Sequence, residues 1–264
     1  MHMGKGWSKG LTAATDGRVA RAAAGHRGKH YRPRGTPPTI DWSHRLAYAV
    51  GLIATDGCLY GDGRHIAFIS KDEDQMRTLL CLVDRPHIRY RREESEFGGW
   101  AYRGQFSYAS LYRWLLTVGL MPRKSLVLGA IDVPDEHLMA LVRGLLDGDG
   151  TVYTLIHHPT RKTYRNYRYE RLWTFFNSGS RRHVEWIQAR LAFALGISGY
   201  IEVLKQEDRE NPLYRLKYGN RASRVLLPAI YSDQNVPRLE RKWCKWAGYA
   251  ARNAINVPRT PVSP

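Results

Sequence analysis

The stretch "LMALVRGLLDGDGTVY" (Leu138 to Tyr153) joins an apolar helical pattern to two aspartates that alternate with glycines. A helix C-terminus carries partial negative charge, so an acid there loses about 0.3–1 kcal/mol relative to a neutral residue. Helix stability therefore does not explain Asp147 and Asp149. A calcium-binding EF-hand loop is excluded, because the twelfth position counted from Asp147 is His158 and not the required glutamate.

The same pattern occurs a second time in the chain. "LAYAVGLIATDGCLY" (Leu46 to Tyr60) aligns with "MALVRGLLDGDGTVY" (Met139 to Tyr153) at a constant offset of 93 residues. Small residues recur four apart in both copies, which places them on one helical face where two backbones can approach closely. These residues are Ala47, Gly51 and Thr55 in the first copy and Ala140, Gly144 and Gly148 in the second.

The repeated helices predict a pair of carboxylates. If the helices pack together with both C-termini at the same end, Asp56 and Asp149 become neighbours, and adjacent carboxylates repel unless a cation lies between them. This pairing favours a metal site. The alternative for a single copy is a helix cap, in which Asp149 caps the helix and Gly150 supplies the left-handed residue after it.

The sequence after each motif also repeats in kind. Each copy is followed by patterns for a strand and a helix, then a strand pair and a short helix. Each half then reaches an Arg-Lys pair, Arg123-Lys124 or Arg241-Lys242. The second half holds additional residues between Asp149 and Ser178, which predict an enlarged basic hairpin.

Composition restricts the class of protein. The chain has 264 residues, 43% of them hydrophobic, and its 41 basic against 24 acidic residues give a net charge of +17. We expect a globular protein that binds a polyanion, and the charge favours nucleic acid over a membrane surface as that partner. The three cysteines, Cys58, Cys81 and Cys244, suggest neither a disulfide framework nor a CxxC zinc site. No apolar run approaches the roughly 20 residues that cross a bilayer. We expect a cytoplasmic or nucleoid protein, or an organellar one in a eukaryotic host.

"AVGLIATDG" (Ala49 to Gly57) and "VRGLLDGDG" (Val142 to Gly150) resemble the motifs of LAGLIDADG homing endonucleases of the single-chain type, over about residues 43–252. The resemblance implies an α+β fold of two pseudo-symmetric αββαββα-type halves, packed through the motif helices beneath a DNA-binding β-saddle. The expected divisions are 1–40, 41–133 and 134–264. The two halves of one chain would replace the subunits of a dimer, so we expect a monomer that needs no protein partner.

The resemblance also implies a metal centre. The acid before the final glycine of each motif binds divalent metal in this family, which points to Asp56 and Asp149, with Gly57 and Gly150 beside them. Carboxylate oxygens suit Mg²⁺, for which Mn²⁺ is a possible substitute. The earlier acid of the motif is Asp147 in the second copy.

Two lysines are candidates to assist that centre. Lys124 and Lys242 match positions where the family often carries a basic residue near the metals, and a lysine there could stabilise developing charge or orient water. The alternative is that each Arg-Lys pair is a solvated basic helix end. In the first motif, Ala54 replaces the earlier acid, at a position where the family varies.

The strand pairs supply candidate DNA contacts. Period-two alternation sends every second side chain of a β-ribbon towards the major groove, where arginine can pair with guanine and glutamine with adenine, although many such residues contact phosphate alone. The candidates are Arg89, Arg91, Arg103, Gln105, Arg165, Arg168, Arg215 and Lys217.

Residues 1–40 carry eight basic residues against Asp16 alone. They loosely resemble small DNA-binding modules of phage and intron nucleases, and the alternative is a basic arm. For the whole chain we expect a site-specific double-strand DNA endonuclease of an intron or free-standing mobile element. The alternative is an RNA-splicing maturase or a non-catalytic DNA-binding regulator with the same fold.

Overall fold

The computed structural model describes residues 12, 14–26, 39–94, 98–157, 169–205 and 210–255. The chain divides into two compact units, Met1–Thr39 and Ile40–Pro264. The first unit contains helix α1 (Gly17–His26). Asp16 begins this helix by accepting a 2.8 Å hydrogen bond from the backbone N–H of Arg18. Among the described helices of the chain, none is long and apolar enough to span a membrane.

The second unit contains two halves with the same order of elements. The first half consists of α2 (His44–Asp56), β1 (Gly57–Leu59), β2 (His65–Ser70), α3 (Glu73–Leu82), β3 (Tyr90–Glu94), β4 (Trp100–Ser107) and α4 (Ala109–Thr117). The second half consists of α5 (Leu138–Asp147), β5 (Thr151–His157), β6 (Tyr169–Ser178), α6 (Arg181–Leu195), β7 (Tyr200–Leu204), β8 (Leu213–Tyr218), α7 (Asn220–Ile230) and α8 (Glu240–Arg252). The predicted αββαββα order is confirmed, and the second half adds one helix.

Each half forms one antiparallel sheet. The strand orders are β1-β2-β4-β3 and β5-β6-β8-β7, so the two sheets have the same topology. Their registers also correspond, because Ile69 lies opposite Arg103 in the first sheet and Asn177 lies opposite Arg215 in the second. The predicted α+β fold with pseudo-symmetric halves is therefore confirmed.

The motif helices α2 and α5 pack against each other in the core. Ser43 begins α2 by accepting a 3.1 Å hydrogen bond from the N–H of Leu46, and an apolar, buried run follows. A Cβ added to Gly51 would lie 2.8 Å from the Cα of Gly144, so the two backbones touch where both residues are glycine. One continuous hydrophobic core spans both halves and fixes the helix pair between the sheets.

Candidate metal centre and nucleic-acid interface

Asp56 and Asp149 lie at the same end of the helix pair. Thr55 contacts the position of Gly148, so the C-termini of α2 and α5 are adjacent. Within the described part of the chain, neither carboxylate accepts a hydrogen bond or has a basic group within ion-pair distance. Burial, then the charge of Asp149, raises the pKa of Asp56 to about 7, and burial raises the pKa of Asp149. The two acids therefore form a destabilising pair that a cation would relieve.

The glycine after each acid is required by close packing. A Cβ on Gly57 would lie 2.6 Å from the carbonyl oxygen of Ile53, and a Cβ on Gly150 would lie 2.7 Å from the Cα of Leu146. Gly57 has a φ of −89°, and Gly150 is not among the positive-φ glycines of the described chain. The helix-cap alternative with a left-handed glycine is therefore wrong. The chain instead turns directly from the helix into the strand, and a side chain would collide with the last helical turn.

The two lysines lie beneath the carboxylates. Lys242 Nζ donates to the carbonyl oxygens at the end of α5, at 2.7 Å to Leu146, 2.8 Å to Asp147 and 2.9 Å to Gly148. Lys124 Nζ donates to the carbonyl of Gly57. Both lysines are buried, so they are not solvated helix ends.

Burial lowers the pKa of both ammonium groups, that of Lys242 to about 8. Their charges lower the pKa of Asp56 and Asp149 and so favour the ionised acids, although neither ammonium group forms an ion pair with them. Each lysine therefore holds the backbone next to one acid by hydrogen bonds and places a positive charge near both acids.

Asp147 has a structural role. Its buried carboxylate accepts a 2.9 Å hydrogen bond from the hydroxyl of Tyr48 in α2 and a 2.8 Å bond from the N–H of Leu239. Burial raises the pKa of Asp147 to about 6. These two hydrogen bonds join the second motif helix to the first and to the segment before α8. Ala54, the equivalent residue of the first motif, has no side chain that could form them.

Gln75 and His183 occupy corresponding positions on α3 and α6, five residues after Ser70 and Ser178. Gln75 Nε2 donates to the carbonyl oxygen of Asp147 at 3.0 Å. His183 Nδ1 lies 2.8 Å from the carbonyl oxygen of Gly129, and burial lowers the pKa of His183 to about 4, so the ring is neutral at physiological pH. His183, Lys124 and Asp149 line a cavity of about 80 Å³. Neither Gln75 nor His183 belongs to a sequence motif, and only the matched spacing from Ser70 and Ser178 could have indicated them.

Three of the four candidate DNA contacts of the first half, Arg91, Arg103 and Gln105, share the outer face of its sheet. Arg91 lies opposite Arg103, and both contact Glu93. Gln105 projects from the same face and is exposed, whereas Arg89 lies one residue before β3.

The second sheet places its candidates at matching positions. Arg215 corresponds to Arg103 and Lys217 to Gln105, because Lys217 lies opposite Phe175 as Gln105 lies opposite Ala67. Both basic side chains face Glu202, at 4.0 Å from Arg215 and 3.1 Å from Lys217. The other two candidates, Arg165 and Arg168, lie outside the described residues.

Comparison with solved structures identifies the fold. The meganuclease I-SmaMI bound to uncleaveable DNA superimposes with a TM-score of 0.50 at 11% identity, over 78% of this chain and 91% of that chain. The homing endonuclease I-WcaI bound to its DNA recognition sequence gives 0.49 at 11% identity, over 80% and 95%. Full-length DUF199/WhiA from Thermatoga maritima gives 0.46 at 14% identity, over 82% and 70%.

No protein-family model matches the chain. No curated protein matches it in sequence. The match to I-SmaMI, together with the paired helices and the two sheets of identical order, assigns the chain the LAGLIDADG homing-endonuclease fold.

Proposed function

We propose that this protein is a site-specific double-strand DNA endonuclease that hydrolyses phosphodiesters with Mg²⁺, or with Mn²⁺ in its place, and serves a mobile element. The observation that carries the proposal is the pair of acids at the adjacent ends of α2 and α5. Asp56 and Asp149 repel each other, and no described residue neutralises them by direct contact. Stability does not favour this arrangement, whereas metal binding does.

The residues present fit a hard divalent cation. No group of three or more His, Cys, Asp or Glu side chains suited to a metal occurs among the described residues. Asp56 and Asp149 would therefore supply only part of a coordination shell. Mg²⁺ characteristically binds through one or two carboxylates and completes its shell with water and phosphate oxygens. When bound, the metal would activate a water and neutralise charge at the scissile phosphate.

Residues around the two acids and on the two sheets carry charges that suit a metal-dependent reaction on DNA. Lys124 and Lys242 favour ionised acids, and the neutral ring of His183 beside Asp149 adds no competing charge. The outer faces of both sheets present Arg103 and Arg215 at matching positions, as expected for contacts to the two halves of a duplex site. The net charge of +17 supports binding to the phosphate backbone.

The test separates metal binding from cleavage. Asp56→Asn and Asp149→Asn should each reduce the affinity for Mn²⁺, measured by electron paramagnetic resonance of the free ion. They should also abolish double-strand cleavage of a duplex selected from a randomised library by the wild-type protein. Asp41→Asn is the matched control, because Asp41 is exposed and precedes the opposite end of α2. Near-normal cleavage by Asp149→Asn would contradict the proposal.

The alternative of a non-catalytic DNA-binding regulator predicts a different result in the same assay. A regulator would enrich a duplex from the library but would leave it intact with Mg²⁺ and with Mn²⁺. An RNA-splicing maturase would instead require the RNA of a host intron as its ligand.

A further inference from the structure

Arg103 and Arg215 occupy equivalent places on inner strands of the two sheets. Arg103 lies on β4 and Arg215 on β8, and each of these strands has a neighbour on both sides. The side chains of Arg103 and Arg215 are 40% and 33% exposed, whereas that of Arg91 on the edge strand β3 is 78% exposed. The two arginines are therefore partly enclosed by their sheets.

In both arginines, Nε donates a hydrogen bond to a neighbouring side chain. Glu93 Oε1 accepts the bond from Arg103, and Asn177 Oδ1 accepts a 3.0 Å bond from Arg215. Arg215 Nη1 lies 4.0 Å from Glu202 Oε2, which is beyond hydrogen-bond distance. A guanidinium group carries its five N–H donors in one plane. With Nε engaged, the terminal nitrogens Nη1 and Nη2 form the pair of donors that can meet a ligand.

The two acceptors differ between the halves, and each is itself held in place. Glu93 lies on the edge strand β3, and its second oxygen is 3.2 Å from Arg91 Nε. Asn177 lies on the inner strand β6, and its Nδ2 donates to the carbonyl oxygen of Asp149 at 2.8 Å, which turns Oδ1 towards Arg215. Ile69 occupies the place of Asn177 in the first half and has no acceptor. The two halves therefore hold the same arginine with unrelated residues.

Neither stability nor phosphate binding explains this arrangement. Ion pairs as exposed as that of Glu93 with Arg103 contribute little to stability, and a carboxylate on a surface that meets DNA repels phosphate. Phosphate contacts place no demand on the plane of a guanidinium group, because lysine also makes them as a point charge. A fixed guanidinium plane indicates a ligand whose two acceptors lie in one plane, and guanine presents O6 and N7 in this way in the major groove.

We propose that Arg103 and Arg215 are specificity-determining residues that each read one guanine, and that Glu93 and Asn177 position them. The terminal nitrogens of each arginine would donate to O6 and N7 of its guanine. Because the two arginines hold equivalent places in pseudo-symmetric halves, the two guanines should lie at matching positions of the two half-sites. This inference rests on the proposed function, because it requires duplex DNA on the outer faces of both sheets.

The first experiment selects duplexes from a randomised library in EDTA, which removes the metal that cleavage requires. The wild-type protein should enrich one guanine in each half-site, at equal distances from the centre. Replacement of either guanine by adenine should raise the Kd about 5-fold or more, as expected for the loss of one paired contact. A selected site without a guanine at these matching positions would overturn the proposal.

Variants of the two arginines assign each guanine to its reader. Arg103→Met should abolish the preference for guanine in one half-site and Arg215→Met in the other. Arg89→Met is the matched control, because Arg89 is exposed beside β3 and its loss removes the same charge from the first sheet. This control should weaken the binding of all duplexes alike. Retention of both guanine preferences by Arg103→Met or by Arg215→Met would overturn the assignment.

The positioning residues are tested by the ratio of the Kd values for adenine and guanine. Glu93→Gln and Asn177→Ile should each lower this ratio about 3-fold or more in one half-site and leave the other unchanged. Glu93→Gln should also tighten binding to random duplex, because it removes a negative charge near phosphate. Asn177→Ile introduces the residue that the first half carries as Ile69. Equal changes for both bases in folded variants would show that these residues do not position the arginines.

Cleavage is measured separately, with Mg²⁺ and the selected duplex. A duplex that stays intact but requires both guanines for binding would contradict the endonuclease proposal and support this inference. Cleavage of a site that binds equally well without the guanines would overturn this inference alone.

Discussion

At the residue scale, Asp56 is a carboxylate that the fold holds at a cost. Its pKa of about 7 exceeds the value near 3.9 expected in an unfolded chain. The folded protein therefore binds the proton of Asp56 more tightly than the unfolded chain does. Protonated Asp56 contributes its full stabilisation below about pH 4, and this stabilisation is lost as the pH rises through about 7. Metal binding would offset that loss.

We predict that Asp56→Asn stabilises the metal-free protein. Asparagine cannot ionise, so the variant should gain on the order of 2–4 kcal/mol in free energy of unfolding at pH 8 and almost nothing at pH 4. Urea unfolding in EDTA at both pH values measures this difference, with Asp41→Asn as the control. Equal stabilities of Asp56→Asn and wild type at pH 8 would show that the carboxylate is not strained.

A second prediction concerns Lys242. Replacement by methionine preserves the stem but removes the ammonium donor from three carbonyl oxygens at the end of α5, of which that of Asp147 alone keeps a side-chain donor, Gln75. We expect Lys242→Met to lower the free energy of unfolding by about 3 kcal/mol, because unsatisfied buried acceptors are costly. Lys124→Met removes one such bond and should cost about half as much. Equal losses in chemical denaturation would argue against the capping role of Lys242.

At the element scale, the approach of α2 to α5 depends on the absence of two side chains. A Cβ on Gly51 would collide with the backbone of Leu141, Gly144 and Leu145, and a backbone cannot rotate away as a side chain can. The helix pair positions Asp56 relative to Asp149. A change at Gly51 therefore separates the acids without touching either one.

We expect Gly51→Ala to destabilise the protein by at least about 3 kcal/mol and to weaken Mn²⁺ binding. Gly61→Ala is the control, because a Cβ at Gly61 would have no neighbour within 4 Å. Thermal unfolding and metal titration should be measured on the same samples. A Gly51→Ala variant with the stability and Mn²⁺ affinity of Gly61→Ala would show that the contact is not tight in solution.

The elements were predictable from sequence where periodicity is strong. The repeat with an offset of 93 residues indicated the helix pair and its small-residue contact, and alternation placed Arg215 and Lys217 on one face, away from buried Leu216 and Tyr218. The alternation in "YERLWTFFNS" (Tyr169 to Ser178) also places Tyr169, Trp173 and Phe175 on one face of a strand. The sequence did not show which face is exposed to solvent, and the packing of the sheet decides this.

Contacts between distant segments were not predictable. The hydrogen bonds of Asp147 with Tyr48 and Leu239 join residues about a third of the chain apart, and no local pattern indicates them. The three carbonyl contacts of Lys242 likewise depend on how α8 packs against α5. The sequence indicated that a lysine lies near the acids, whereas its geometry follows from packing.

At the scale of the whole molecule, charge should control the affinity for DNA. The logarithm of the binding constant falls by about 0.9 per neutralised phosphate for each tenfold increase in salt. Residues 1–38 carry eight basic side chains, so their deletion should flatten the salt dependence of binding without moving the cleavage position. Filter binding between 50 and about 300 mM salt measures the slope. An unchanged slope would mean that this segment does not contact phosphate.

We also predict a monomer in solution. Each motif helix already buries its small-residue face against the other within one chain. Sedimentation equilibrium of the free protein should therefore return a mass near 30.3 kDa. A stable dimer at micromolar concentration would require a surface outside the helix pair.

The hydrogen bond between Tyr48 and Asp147 breaks the symmetry of the two halves. In the repeat, Tyr48 of the first half corresponds to Leu141 of the second, and Asp147 of the second half corresponds to Ala54 of the first. A protein assembled from two first halves would bury two tyrosine hydroxyls without their carboxylate acceptor. One assembled from two second halves would bury two acids without a tyrosine donor. A symmetric homodimer of either half would therefore lack this buried hydrogen bond, and the single chain that holds one copy of each half is the arrangement that satisfies both groups.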